Sequence, residues 1–148
     1  MKTHDYVFSF ENSFQSSFWS VLNSSARVHL DIGGEGRYSD AINLNPLSYT
    51  TTTGVSGQPI PNHFLGFGDS IPFGGARISY ISIENTPISP RMIDEVKRVW
   101  IPDGKIVLSH PDDYATKVHS VLACAVNGQF VQTRALGQTV TWITRVRD

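Results

Sequence analysis

The clearest chemical signal in the sequence is an apolar run that ends in Asp31-Ile32-Gly33-Gly34-Glu35-Gly36. An acid at a strand end, followed by glycines, sets a carboxylate beside backbone that can adopt positive φ and approach a ligand closely. The same residues also make a plain tight turn. A second run, 63–67, ends at Gly68-Asp69-Ser70-Ile71, where Asp69 is either a ligand's hydrogen-bond acceptor or a turn aspartate. A third ends in Glu84-Asn85-Thr86-Pro87, with Glu84 as a general base or an exposed cap. A fourth ends at His110, either an acid/base or substrate contact facing the same crevice or a histidine that caps a turn. His119 is expected on a helix, at its surface or packed, and His29 inside a strand as a structural residue. Cys124, set in Val121-Leu122-Ala123-Cys124-Ala125-Val126, reads as a buried small hydrophobe rather than a nucleophile. One cysteine allows no disulfide within the chain, and no His or Cys pair has metal-ligand spacing, so no metal is expected. Neither a Gly-x-Ser-x-Gly elbow nor a P-loop is present.

These residues need elements to carry them. Alternation over 5–11 suits a strand or extended arm, and Phe14, Phe18, Trp19 and Leu22 form one helical face after Asn12 or Ser13 as N-cap. Residues 27–32 and 41–44 read as strands, and 63–67 as a third. Residues 46–62 are rich in Thr, Ser, Gly and Pro and carry no period, which suggests a mobile lid. Residues 77–83 form a strand with apolar positions on both faces. Ser89-Pro90 starts a helix whose apolar face is Ile93, Val96, Val99 and Trp100, broken by Pro102-Asp103-Gly104. Lys105 to Ser109 is the next strand. Asp112 or Asp113 caps a helix that Asn127-Gly128 ends, and 129–134 with 139–146 form a hairpin.

Strands alternating with helices imply a mostly parallel sheet with one antiparallel strand added by the hairpin. The third, fourth and fifth strands are expected as parallel neighbours of the first, with the hairpin at one side. The 148 residues form a single domain, an arm and helix over 1–26 and a core over 27–146, with 40% apolar residues. A net charge of −1 and scattered basic residues give no sign of a nucleic-acid or anionic-membrane surface. No stretch is long and apolar enough to span a bilayer, and a cytoplasmic location is expected.

Three motifs in order resemble the class I S-adenosylmethionine (SAM) methyltransferases. The 28–36 strand and turn resembles their Asp-x-Gly-x-Gly motif. Gly68-Asp69-Ser70-Ile71-Pro72-Phe73 resembles the segment after their third strand, and 95–104 resembles their Glu-x-x-Arg-Val-Leu-Lys-Pro-Gly-Gly helix and turn. Ile42-Asn43-Leu44-Asn45 matches the second strand of a short-loop branch. The pattern also resembles C-terminal effector domains of bacterial hemagglutinin-type and related polymorphic toxins, on the phrases GGEGRYSDAINLNP and HPDDYA. The resemblance implies a three-layer Rossmann-like α/β fold with reduced helices. It also implies SAM as cofactor, bound by Asp31, Gly33, Gly34 and Gly36. Asn45 stands where the family has a ribose-gripping acid, and Asp69, Ser70 and Ile71 would lie beside the adenine. Glu84, Asn85 and His110 are then the catalytic candidates.

Several departures stand out. Glu35 and Arg37 occupy glycine positions, Asn45 lacks the acid's charge, and helices after the first two strands are missing. One sheet face therefore needs cover from residues 12–23, the Thr-rich loop or a partner such as an immunity protein. The acceptor substrate is not legible. Two other functions fit the same shell: hydrolysis of an NAD-like nucleotide, since Arg37 could meet a phosphate, and a non-catalytic binding module.

Overall fold

The computed structural model describes residues 27–51 and 56–145. The arm over 5–11 and the helix after Asn12 lie outside those residues. The elements run β1 (His29–Ile32), β2 (Ala41–Asn45), β3 (His63–Leu65), β4 (Ile78–Glu84), α1 (Pro90–Val99), β5 (Trp100–Pro111), α2 (Asp112–Ala125), β6 (Gly128–Ala135) and β7 (Gln138–Arg145). They build one seven-stranded sheet in the order β3-β2-β1-β4-β5-β7-β6. The first five strands are mutually parallel, and β7 joins antiparallel to both β5 and β6. Only β4 of the expected three is a direct neighbour of β1; β3 lies beyond β2, and β5 lies beyond β4.

Side chains alternate across a sheet, and here the alternation sorts them by chemistry. Leu30, Ile32, Ile42, Leu44, Ile81, Ile83, Ile106, Leu108 and Ile143 line one face and merge with Met92, Val96, Val99 and Leu122 in a single core. Both helices lie on that face. Their opposites on β1, β2 and β4 are His29, Asp31, Asn43, Asn45, Tyr80, Ser82 and Glu84. Among the described residues no helix covers this second face; the connecting residues 33–40, 46–51 and 56–62 run there instead.

Local signals explain the start of α1 and the β6–β7 turn. Ser89 Oγ accepts from the Met92 amide at 3.1 Å, with Pro90 at the first helical position. Leu136 and Gly137 both have positive φ, 56° and 78°, the signature of a two-residue hairpin turn whose twist matches its strands.

Four expectations change. Pro102-Asp103-Gly104 does not separate α1 from the next strand, because β5 already begins at Trp100. Between the pairs Ile78↔Trp100 and Tyr80↔Lys105, β4 advances two residues and β5 five, so the three extra residues form a detour inside the ladder. Asp112 does not cap α2 through its side chain; Pro111 holds the cap position and the Asp112 carboxylate accepts from Thr139 Oγ1 at 2.7 Å. Cys124 is exposed, since it falls on the outer side of α2 despite its apolar sequence neighbours. Residues 46–51 and 56–62 are not without structure. Thr50 N donates to Gln58 O at 2.7 Å and Ile60 N to Ser48 O at 2.9 Å, an antiparallel pairing that buries Ile60 and Thr50.

Candidate functional site at the strand ends

Strand order reverses between β1 and β4, and crevices for ligands open outside the carboxyl ends of strands at such a point. Two turns meet there. The first follows β1: Gly33 (φ 75°) donates to Leu44 O at 2.8 Å, and Gly36 has φ 110°. A Cβ on Gly33 would collide with the Thr86 side chain, 3.0 Å from Cγ2, and one on Gly34 with the Asn43 and Asp31 side chains. The second turn follows β4, where Asn85 takes φ 53° and its amide donates to Ser109 O at 2.8 Å. Gly68 lies along the same edge, because a Cβ there would come 2.7 Å from Ile32 Cγ2.

Asp31 is fully buried. Arg37 reaches back from the turn and grips it side-on, Nε to Oδ2 at 2.8 Å and Nη2 to Oδ1 at 3.1 Å, while Ser82 Oγ donates to Oδ1 at 2.8 Å. Burial pushes the Asp31 carboxyl above the usual carboxylate range, and Arg37 and Ser82 pull it part of the way back. Glu84 Oε2 is 3.6 Å from Arg37 Nε and accepts the Tyr38 hydroxyl in a very short hydrogen bond. Burial first, and then this contact, raise the Tyr38 phenol. Two carboxyl groups therefore share one guanidinium at the switch point.

Of the other expected residues, Asn45, Ile71 and His110 are engaged internally and Asp69, Ser70 and Asn85 are exposed. Asn45 Nδ2 donates to Gly34 O at 3.1 Å and its Oδ1 accepts from Leu47 N at 2.9 Å, so the side chain pins the glycine turn to the end of β2. Asp69 and Ser70 are exposed in the turn after β3. Ile71 is 3% exposed and belongs to the core, its amide donating to Glu95 Oε1 at 2.8 Å. Asn85 is exposed beside Glu84. His110 does not face the crevice: it is 2% exposed, with one ring nitrogen on Thr86 O and the other on His119, both at 2.8 Å. Glu35 accepts from Thr51 N at 2.8 Å and Thr51 Oγ1 at 2.6 Å. Sequence reasoning missed three residues of this site, Tyr38, Ser82 and Thr86. Ser82 carried a signal, a small polar residue set between two isoleucines of the strand.

Asn43 Oδ1 is buried beside Gly34 with no partner. Together with Asp31 and Glu84 it makes an acceptor-rich edge, suited to a ligand group that is cationic and rich in donors. No cluster of three metal-ligating side chains occurs among the described residues.

Solved structures share this architecture. A SAM-dependent methyltransferase from Thermotoga maritima superposes with a TM-score of 0.62 at 12% identity, over 93% of this chain and 96% of that one. The antibiotic-resistance methyltransferase Kmr gives 0.59 at 10% identity, over 89% and 93%. A 16S rRNA (adenine(1408)-N(1))-methyltransferase W203A mutant from Catenulisporales acidiphilia, solved with SAM, gives 0.56 at 14% identity, over 89% and 92%. The fold is a reduced class I methyltransferase fold. No family model and no curated protein matches the sequence. Within the methyltransferase fold, Gly33–Gly36 and Glu84–Thr86 stand at the reversal of strand order. The helices after β1 and β2 are replaced by loops among the described residues.

Proposed function

We propose that this domain binds SAM at the carboxyl ends of β1 and β4 and acts as a methyltransferase. One observation carries the reading: the glycine turn and the Glu84 turn meet at the reversal of strand order, on an edge whose acceptors already hold a cation. Asp31, Gly33, Gly34 and Gly36 would hold the amino-acid end of SAM, and Asp69 and Ser70 its adenine. Bound SAM supplies an electrophilic methyl group on a sulfonium. The chain's own part is orientation and proton acceptance. Glu84 Oε2, held by Tyr38 and facing Arg37, is the base within the crevice; Asn85 lies beside it to orient the acceptor. His110 has no free nitrogen for that task.

Calorimetric titration of SAM and of NAD into the folded protein tests the reading. Heat with SAM alone is expected, and Asp69→Ala should weaken binding by about 10- to 150-fold through loss of one charge-assisted hydrogen bond. Heat with neither ligand would remove the enzyme reading and leave a non-catalytic module, a reading favoured by Arg37, which fills the acceptor site from within. Hydrolysis of an NAD-like ligand loses its motive, because Arg37 is committed to Asp31 and Glu35 to Thr51.

The role we propose is that of a toxic effector restrained by an immunity protein. It is supported by the phrases at 33–46 and 110–115, which include the glycine turn after β1 and the end of β5. Growth arrest on cytoplasmic expression, abolished by Glu84→Gln, is the expected result; normal growth would count against it.

A further inference from the structure

We infer that His110 and His119 form a neutral, one-directional relay that fixes the turn after β4 against the glycine turn, making both positioning residues for any ligand at the switch point. The inference does not depend on which cofactor binds. With both rings neutral, proton bookkeeping determines the relay. Thr86 O can only accept, so His110 Nε2, at 2.8 Å, carries the proton. The neutral ring's Nδ1 must then accept, and His119 Nε2, also at 2.8 Å, must donate to it. His119 Nδ1 in turn accepts from Thr141 Oγ1 at 2.7 Å, and that oxygen accepts from Gln132 Nε2 at 3.0 Å. Donors run in one sense from β6 through β7, α2 and β5 to the turn.

The ring of His119 and the hydroxyl of Thr141 lie in residues that are 0% exposed, where an unmade hydrogen bond is costly. At the far end Thr86 Oγ1 donates to Glu84 O at 3.2 Å, and its side chain fills the space a Cβ on Gly33 would need. A displaced Thr86 would therefore move both Glu84 and the glycine turn. A second proton on His110 would set two N–H groups face to face unless His119 moved its own proton to Nδ1, and that shift, like protonation of His119, would turn the Thr141 hydroxyl away. The groups facing His110 are the Tyr114 ring at 5.0 Å, Glu84, which favours the charged form, and Arg37, which opposes it. Among the described residues His119 is hydrogen-bonded to His110, Thr141 and, through it, Gln132. Burial holds both rings below the ordinary histidine range, His119 at about 4.

Nitrogen-15 NMR of the wild-type protein at neutral pH tests the proton order directly. The expected result is an Nε2–H tautomer on both rings and a scalar coupling between His119 Nε2 and His110 Nδ1 across their hydrogen bond. An Nδ1–H tautomer on either ring overturns the inference. The positioning role is read by amide exchange. His119→Leu should speed exchange at Asn85 by about tenfold, the loss of one hydrogen bond, while Ile81 and Ile106 in the central strands stay unchanged. His119→Gln, which keeps a donor for His110, should restore protection. Unchanged exchange at Asn85, or an equal rise at Ile81, overturns it; should His119→Leu not fold, the wild-type tautomers and the Gln variant decide.

Discussion

On β1, Leu30 and Ile32 turn toward the helices while His29 and Asp31 turn the other way, and the same division continues through β2 and β4. The two faces are held by different physics. The helix side is closed by apolar burial, which is non-directional and tolerant of repacking. On the other side Ser82 and Asp31 are each 0% exposed yet polar, and their burial is tolerable only because each contact has a designated partner. His29 Nε2 meets Ser82 Oγ at 2.9 Å, Ser82 donates to Asp31, and Arg37 closes the chain. The first face specifies that a sheet forms, and the second specifies which groups stand at its edge.

Ile106→Ala should show the largest effect that separates the faces. Ile106 is 0% exposed on the helix side, and losing that packing costs about 2–5 kcal/mol, measurable by chemical denaturation.

Acid should then weaken both faces through one histidine on each. His119 on the helix side and His29 on the other are both pulled down to about 4, chiefly by burial. A histidine that is harder to protonate when folded gives stability that is full above its unfolded pKa. That stability is lost as pH falls from about 6.5 toward 4, at most about 3 kcal/mol for each ring. Asp31, whose carboxyl is raised, acts with the opposite sign and offsets part of this. His29→Gln and His119→Gln should each flatten the stability–pH curve over that window; a curve unchanged by both would break the comparison.

Arg37→Ala leaves Asp31 buried without its cation. Since the Arg37 side chain is 32% exposed, the cost is discounted from that of a fully buried pair to about 1–3 kcal/mol. Adding Asp31→Asn should recover part of it, and thermal unfolding of the single and double variants measures the coupling. The smallest effect is expected at Lys105, the sequence neighbour of Ile106 but exposed on the opposite face: Lys105→Ala should change stability by no more than about 0.5 kcal/mol.

What the sequence made legible was local. Ser89-Pro90, the hairpin of 129–134 with 139–146 and the strand ends near Asp31 and Glu84 each announce themselves within a few residues, and their positions followed. The pairings did not. Arg37 folds back over six residues to Asp31, and nothing in that spacing distinguishes a guanidinium meant for a phosphate from one meant for a neighbour. His110 and His119 lie on a strand and a helix whose packing angle no periodicity encodes. Pro102 looked like the break between helix and strand because proline interrupts a helix, yet β5 already begins at Trp100 and a local detour absorbs it. Cys124 shows the converse error, apolar neighbours in sequence mistaken for neighbours in space.

The loop at 33–40 has a consequence for the order of assembly. Parallel strands are ordinarily brought together by a long crossover, but here His29 pairs with Ala41, 12 residues on, and with Tyr80, 51 residues on. Closing the longer loop costs about 1 kcal/mol more chain entropy. β1 and β2 can therefore meet at close to the cost of a hairpin, before any helix has docked. In folding kinetics, Ile42→Val should slow refolding more than Ile143→Val does, which would make this parallel pair an early contact.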